Sequence, residues 1–338
     1  MNSSEPEYSV VVPVYQSEKT LRSLVRQLAR PSVFKGEASF EIIFVDDGSR
    51  DDSWDVLKDL QSEYQATIST IRLMRNFGQH NAIMCGFREA QGKVVITMDD
   101  DLQNPPADIA KLIDLISLGD YDLVYGVPER KQHSLGRNIG SWVVNIFFRL
   151  VFRVDVRVTS FRAIRRELVD SILAYNLNFT YIDGLLAWNT QRIGQVTVDH
   201  RPRTSGKSGY SFAKLLGLAL NLFTNFSLLP LQIASCAGLA ASVSGLLAGV
   251  YFLVQALLSQ ISVPGYASII VAVMVLGGVQ LLALGVIGEY VGRLHMNVNR
   301  KPQYTVRQIV SRRTQSESSH CTHVDYVFGR RDDGSVSN

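Results

Sequence analysis

Between residues 215 and 288 the chain carries not one Asp, Glu, Lys, Arg or His. No soluble core requires an uncharged stretch of that length. Two apolar segments within it, 231–258 and 266–288, each cover the roughly 20 residues that a helix needs to cross a hydrocarbon core of about 30 Å. The link at 259–264 is short and uncharged and runs through Pro264 into Gly265, so the two segments are expected to form a helical hairpin in a membrane. Lys207 and Lys214 precede the pair, and Arg293, Arg300, Lys301 and Arg307 follow it. The positive-inside rule then puts both flanks in the cytosol. Small residues recur in both segments (Gly238, Gly245, Gly249, Gly277, Gly278, Gly285) and fit close helix packing, within one chain or in a homo-oligomer.

The rest of the chain has a different pattern. The first fifteen residues, MNSSEPEYSVVVPVY, lack a basic lead and a long apolar run, so they are not expected to act as a signal peptide and the first domain is expected to stay in the cytosol. Net charge is +3, too small to point to nucleic acid. Cys85, Cys236 and Cys321 are far apart and have neither metal nor disulfide spacing, which fits a reducing compartment. Apolar runs of strand type at 8–14, 40–45, 68–73, 94–98 and 122–125 alternate with helical spacing at 18–30, 52–64, 76–90 and 107–118. This alternation predicts an α/β fold, a mostly parallel sheet with helices on both faces. Ligands of such sheets sit beyond the carboxyl ends of the strands. Three polar clusters fall at those ends, at 15–18, 46–52 and 99–103, and imply one shared pocket. No G-x-G-x-x-G follows the first strand, which argues against a dehydrogenase-type dinucleotide fold.

The fourth of these strands runs straight into three carboxylates, Asp99, Asp100 and Asp101, followed by Gln103, Pro105 and Pro106. On an extended segment Asp99 and Asp101 face one way and Asp100 the other. Three adjacent like charges need an offset, and oxygen ligands of this kind suit Mg²⁺ or Mn²⁺. Taken alone, a solvated acidic turn explains the triplet equally well.

Residues 135–154 carry Trp142, Val143, Ile146, Phe147, Leu150 and Val151 on one helical face, flanked by Arg137, Arg149 and Arg153. Such a helix lies at a membrane surface or in a core. Residues 211–230 are a second interfacial candidate. Residues 314–338 are polar and irregular and are expected to be disordered. His80 reads as a helix-start histidine, and Glu289 is spaced one turn from Arg293.

Five stretches now stand in order: PVYQSE (13–18), VDDGSRDDS (45–53), RNFGQHNAIMCGF (75–87), DDDLQNPP (99–106) and VTSFRAIRRE (158–167). The set resembles family 2 glycosyltransferases, and more narrowly the polyprenyl-phosphate glycosyltransferases, that is dolichol-phosphate mannose synthase and its bacterial relatives with two membrane helices. GEYVGRLHMNVNRKPQY (288–304) is similar to the segment that closes their second helix. The resemblance spans about residues 8–310.

The resemblance implies a GT-A-type nucleotide-sugar-binding domain at 1–210, two membrane helices within 231–291, a cytosolic segment at 292–313, and residence in the inner membrane. It implies Mg²⁺ or Mn²⁺ held by Asp99, Asp101 and Gln103. Donor contacts fall on Pro13, Tyr15, Glu18, Val45, Asp47, Asp100 and Arg130, and acceptor-phosphate contacts on Arg203, Lys207 and Tyr210. Arg162, with Asp99 and Asp101, falls in the catalytic set, on the acceptor side. The substrates implied are a UDP- or GDP-linked sugar and polyprenyl phosphate, joined with inversion at the anomeric carbon. A phosphate monoester is already largely ionised at neutral pH, its second pKa being about 6, so it needs little help from a base. Asp100 and Asp155 are the candidates for one. Ser17, Pro128, Ser160 and Gly209 depart from the family's usual residues. A processive polysaccharide synthase of the same fold would carry Q-x-x-R-W before its helices, and none is present. A non-catalytic membrane scaffold or flippase component would have no use for the acidic cluster.

Overall fold

The computed structural model describes residues 6–34, 38–65, 67–128, 156–175, 180–199, 229–258, 266–298 and 302–311. The chain divides into two compact units, Met1–Gly209 with Lys301–Asn338, and Tyr210–Arg300.

The first unit is built on an eight-stranded sheet. Its strands are β1 (Tyr8–Val14), β2 (Phe40–Asp46), β3 (Ile68–Leu73), β4 (Val94–Thr97), β5 (Leu123–Pro128), β6 (Arg162–Arg165), β7 (Ile193–Val198) and β8 (Val306–Val310). They lie in the order β7-β5-β6-β4-β1-β2-β3-β8. β1 pairs in parallel with both β2 and β4, β2 with β3, and β5 with β7. Only β6 and β8 run against this direction. The first four strands and the start of the fifth match the apolar runs of the sequence. β6, β7 and β8 were not expected as strands, because each is short or mixed with charge: Arg162 and Arg165 bound β6, and Arg307 lies within β8.

Strand alternation explains the two-layered packing. Val10, Val12 and Val14 join one core cluster with Leu21, Leu24 and Leu28 of α1 (Leu21–Leu28), Trp54 and Leu57 of α2 (Ser53–Glu63), and Ile109, Leu112 and Ile116 of α4 (Ile109–Ser117). Successive side chains of a strand point to opposite faces, so Val11 faces the other way. There it meets α3 (Gln79–Glu89). Gly86 of α3 comes so close that a Cβ built on it would lie 2.3 Å from Val11 Cγ1. Helices α5 (Arg166–Leu173) and α6 (Ile182–Asn189) are the remaining α-helices of the unit among the described residues.

The second unit contains α7 (Leu229–Leu257) and α8 (Tyr266–Val298), which pack against each other. They coincide with the two expected apolar segments, except that α8 continues past Gly288 for three more turns. At about 1.5 Å per residue, the 29 residues of α7 extend about 44 Å. Both helices present bare apolar side chains: Leu239 is 67% exposed and Leu281 72%. Positions within both helices lie outside the described side chains, and among the described residues no helix is long and apolar enough to cross a membrane.

Candidate active site

Strand order reverses at β1, whose chain neighbours β2 and β3 lie on one side while β4 lies on the other. Crevices at such switch points, outside the carboxyl ends of the strands, are where open α/β sheets bind ligands. A cleft of about 530 Å³ opens there. Pro13 and Tyr15 line it from the end of β1, Asp47 from the end of β2, Asn76 and Gly78 from the loop after β3, Gln79 from the first position of α3, and Asp99, Asp100, Asp101 and Gln103 from the turn after β4. The polar clusters of the sequence therefore share one pocket.

The three aspartates are held differently. Asp99 accepts the Gln79 amide on Oδ1 at 2.6 Å and the Ser160 hydroxyl on Oδ2 at 2.5 Å. Burial pushes its pKa up, and the neighbouring Asp101 charge adds to this, against the Ser160 hydrogen bond. Asp100 is turned back toward β1, where it accepts the Tyr15 amide at 3.3 Å and bonds the Ser17 side chain. Its carboxyl is pushed up to about 6, chiefly by burial. Asp101 accepts the amide of Gln103 at 3.1 Å, which tightens the turn. Two non-glycine residues take left-handed backbone conformations here, Gln16 at φ 56° and Leu102 at φ 60°. Strain of this kind persists only where the surroundings impose it.

Asp47 organises the opposite wall. Its two oxygens accept the amides of Phe77 at 2.7 Å and Gly78 at 2.8 Å, which fixes the loop that presents Gln79. Burial raises its pKa to about 6, and the two amides oppose the rise. Gly48 makes the turn possible. Its φ is +69°, and a Cβ there would lie 2.6 Å from the Arg75 carbonyl carbon.

Three expected residues stand apart from the cleft. Val45 is wholly buried in β2 beside Pro13, because that face of the strand is core. Glu18 accepts the Asp52 amide at 3.2 Å and caps the following segment instead of lining the pocket. Arg162, 1% exposed, lies behind the acidic turn, paired with Asp183. Its Nε donates to Thr97 Oγ1 at 3.1 Å, and Tyr125 donates its hydroxyl to Asp183 at 2.9 Å. As placed, it is a supporting group with no route to a ligand in the cleft. Arg130, Asp155, Arg203, Lys207 and Tyr210, with segments 135–154 and 314–338 and most of 211–230, lie outside the described residues.

His80 is half-buried, with its Nδ1 shielded from solvent, beside the same ion pair and edge-on to Tyr181 with ring centroids 5.1 Å apart. It stands in the first turn of α3, as the sequence predicts, but its Nδ1 has no hydrogen-bond partner among the described residues. Burial lowers its pKa to about 4, which keeps it neutral at physiological pH. In the sequence Ser160 stands out only as a departure from the family's usual residue, and Gln79 has no assigned role. The available signal was the loop between β3 and α3, which had to end near the same pocket as the other strand ends.

Residues 9–173 match the glycosyl transferase family 2 model. Over 315 residues the chain is 35% identical to the undecaprenyl-phosphate 4-deoxy-4-formamido-L-arabinose transferase of Pectobacterium atrosepticum, with 92% of this chain and 96% of the relative covered. The chain is a family 2 glycosyltransferase. This glycosyltransferase is also 35% identical to the enzyme of the same name from Pseudomonas syringae, covering 89% of this chain and 90% of that one. It is again 35% identical to an uncharacterized glycosyltransferase of Synechocystis, covering 90% and 95%. Among solved structures, glucosyl-3-phosphoglycerate synthase of Mycobacterium tuberculosis in complex with uridine diphosphate aligns at TM-score 0.48 and 18% identity, covering 66% of this chain and 79% of that one.

Proposed function

We propose that the glycosyltransferase moves a sugar, with inversion, from a nucleotide-sugar to undecaprenyl phosphate or a related polyprenyl phosphate, at the cytosolic face of the inner membrane. The observation that carries this reading is the gathering of Asp99, Asp101 and Gln103 in one open cleft at the switch point of the sheet. The acceptor class follows from the full-length likeness to transferases whose names specify undecaprenyl phosphate.

The donor set fits a hard divalent cation. Among the described residues no three His, Cys, Asp or Glu side chains gather to hold a metal by themselves. The turn offers two carboxylates and an amide, all oxygen donors, beside a cleft wide enough for a diphosphate. Mg²⁺ and Mn²⁺ are commonly held in this way, by one or two carboxylates plus substrate phosphates. Asp99, Asp101 and Gln103 would hold the ion. When bound, it would neutralise the charge that grows on the leaving diphosphate.

The remaining roles belong to the chain. Tyr15, 43% exposed at the cleft mouth, and Pro13 would border the nucleoside. Asp47 fixes the loop on the opposite wall. Asp100, bonded to the β1 loop, would keep the two sides of the cleft in register and leaves the acceptor phosphate to act as its own nucleophile. Arg130, Arg203, Lys207 and Tyr210 would meet phosphate oxygens, Arg being suited to grip them in pairs. The bare apolar surfaces of α7 and α8 fit a lipid environment. Helices anchored in a bilayer would keep the cleft near an acceptor that cannot leave it.

The test is to incubate the full chain with Mg²⁺ or Mn²⁺, undecaprenyl phosphate and labelled UDP- and GDP-linked sugars. Labelled lipid is expected from at least one donor. No labelled lipid from any of them would reject the reading.

A further inference from the structure

Asp99 is held at both oxygens of its carboxylate. Each of its oxygens already accepts a short hydrogen bond, from Gln79 on one side and Ser160 on the other. The two donors come from separate parts of the fold. Gln79 is delivered by the loop after β3, which Asp47 holds by two amides. Ser160 stands two residues before β6. Because β6 runs antiparallel to β4, with Arg162 opposite Thr97, its beginning lies beside the end of β4 where the acidic turn starts.

Ser160 is itself fixed from behind. The Thr97 hydroxyl donates to the Ser160 carbonyl at 2.6 Å and accepts from Arg162 Nε at 3.1 Å. Arg162 is in turn held by Asp183. A buried ion pair is thus linked through two hydroxyl residues to one carboxylate of the cleft. A carboxylate gripped at both oxygens cannot rotate about its last bond, so only the lone pairs not used by Gln79 and Ser160 remain for anything bound in the cleft.

We propose that Ser160 and Gln79 are positioning residues for Asp99, setting the direction in which it presents its remaining lone pairs to a divalent cation on a bound nucleoside diphosphate. The inference rests on the function proposed above and deepens it. Arg162 then acts three hydrogen bonds away from Asp99, through Thr97 and Ser160, without touching substrate.

The experiment measures Mn²⁺ binding without turnover. Full-length protein is titrated with Mn²⁺ in the presence of UDP and, separately, GDP, with no sugar donor and no lipid. Free Mn²⁺ is read from its electron paramagnetic resonance signal. Groups that orient a metal ligand typically change metal affinity by about 10- to 100-fold when removed. Ser160→Ala and Gln79→Ala are each expected to weaken Mn²⁺ binding by about 10-fold or more, and Ser160→Thr, which keeps the hydroxyl, to stay within about 3-fold of the wild type. Gln79 is exposed, so Gln79→Ala decides the matter if Ser160→Ala does not fold. Wild-type affinity in both alanine variants overturns the inference alone. So does a folded Ser160→Thr that binds as poorly as Ser160→Ala. A wild-type chain that binds no Mn²⁺ with either nucleotide overturns the inference together with the function on which it rests.

Discussion

Arg162 and Asp183 form an ion pair almost sealed from solvent, with side chains 1% and 9% exposed. Removing one member of such a pair leaves a buried charge without its counterpart, which typically costs about 3–5 kcal/mol. Arg162→Ala is therefore expected to lower stability by about that amount, with Tyr125→Phe, which removes one hydrogen bond to the same aspartate, costing only about 1 kcal/mol. Thermal unfolding of the full chain in detergent checks this. Equal, small shifts for both would show that the pair is not buried as described.

Gly48 sets the turn that carries Asp47. Substitution by Ala meets two obstacles, a positive φ and the Arg75 backbone 2.6 Å from the new Cβ. The strained conformation alone costs about 1–3 kcal/mol, and the displaced loop also carries Gln79. Gly48→Ala is expected to reduce both the unfolding midpoint and nucleotide affinity, measured by calorimetry. An unchanged variant would contradict the close approach.

Asp47 gives a pH dependence of definite sign. Its folded carboxyl titrates at about 6, against an ordinary value of 3.8. The folded state therefore holds a proton that the unfolded chain has released between about pH 4 and 6. The corresponding stabilisation is full below that window and is lost as pH rises through it. Relative to Asp47→Asn, the wild-type unfolding midpoint is expected to fall across pH 4–6 and to change little from there to pH 8. Parallel curves would remove Asp47 as the source.

Chelation bears on the cation. Transfer is expected to stop with excess EDTA and to return with added Mg²⁺ or Mn²⁺. Asp101→Ala is expected to lose at least about 100-fold in transfer rate, as when a charge-stabilising group is removed, while its circular dichroism stays that of the wild type. Retained activity in either arm would end the assignment of Asp101.

The framework of the site was legible where periodicity and charge coincide. Val10–Val14 and Ile42–Val45 read as buried parallel strands because they are continuously apolar, and the polar residues that follow them had to meet at one end of the sheet. Arg162 shows the limit. An arginine in a motif resembles a ligand contact, and nothing local shows that Asp183, on a helix that follows, closes on it. Ser160 and Gln79 escaped for the same reason, since their meeting at Asp99 depends on an antiparallel strand and on a loop held by Asp47. β8 was hidden because Val306–Val310 mixes charge with apolar residues and gains strand character only from β3 beside it.

That last strand has a consequence for synthesis. β3 pairs with a segment that emerges from the ribosome only after both long helices have been made. Until then the border of the nascent sheet carries unmatched amides and carbonyls, a template for pairing with another chain. A catalytic half released by cutting at residue 209 would keep that raw border permanently. Such a fragment would be prone to stick to its own copies even with every residue of its cleft intact.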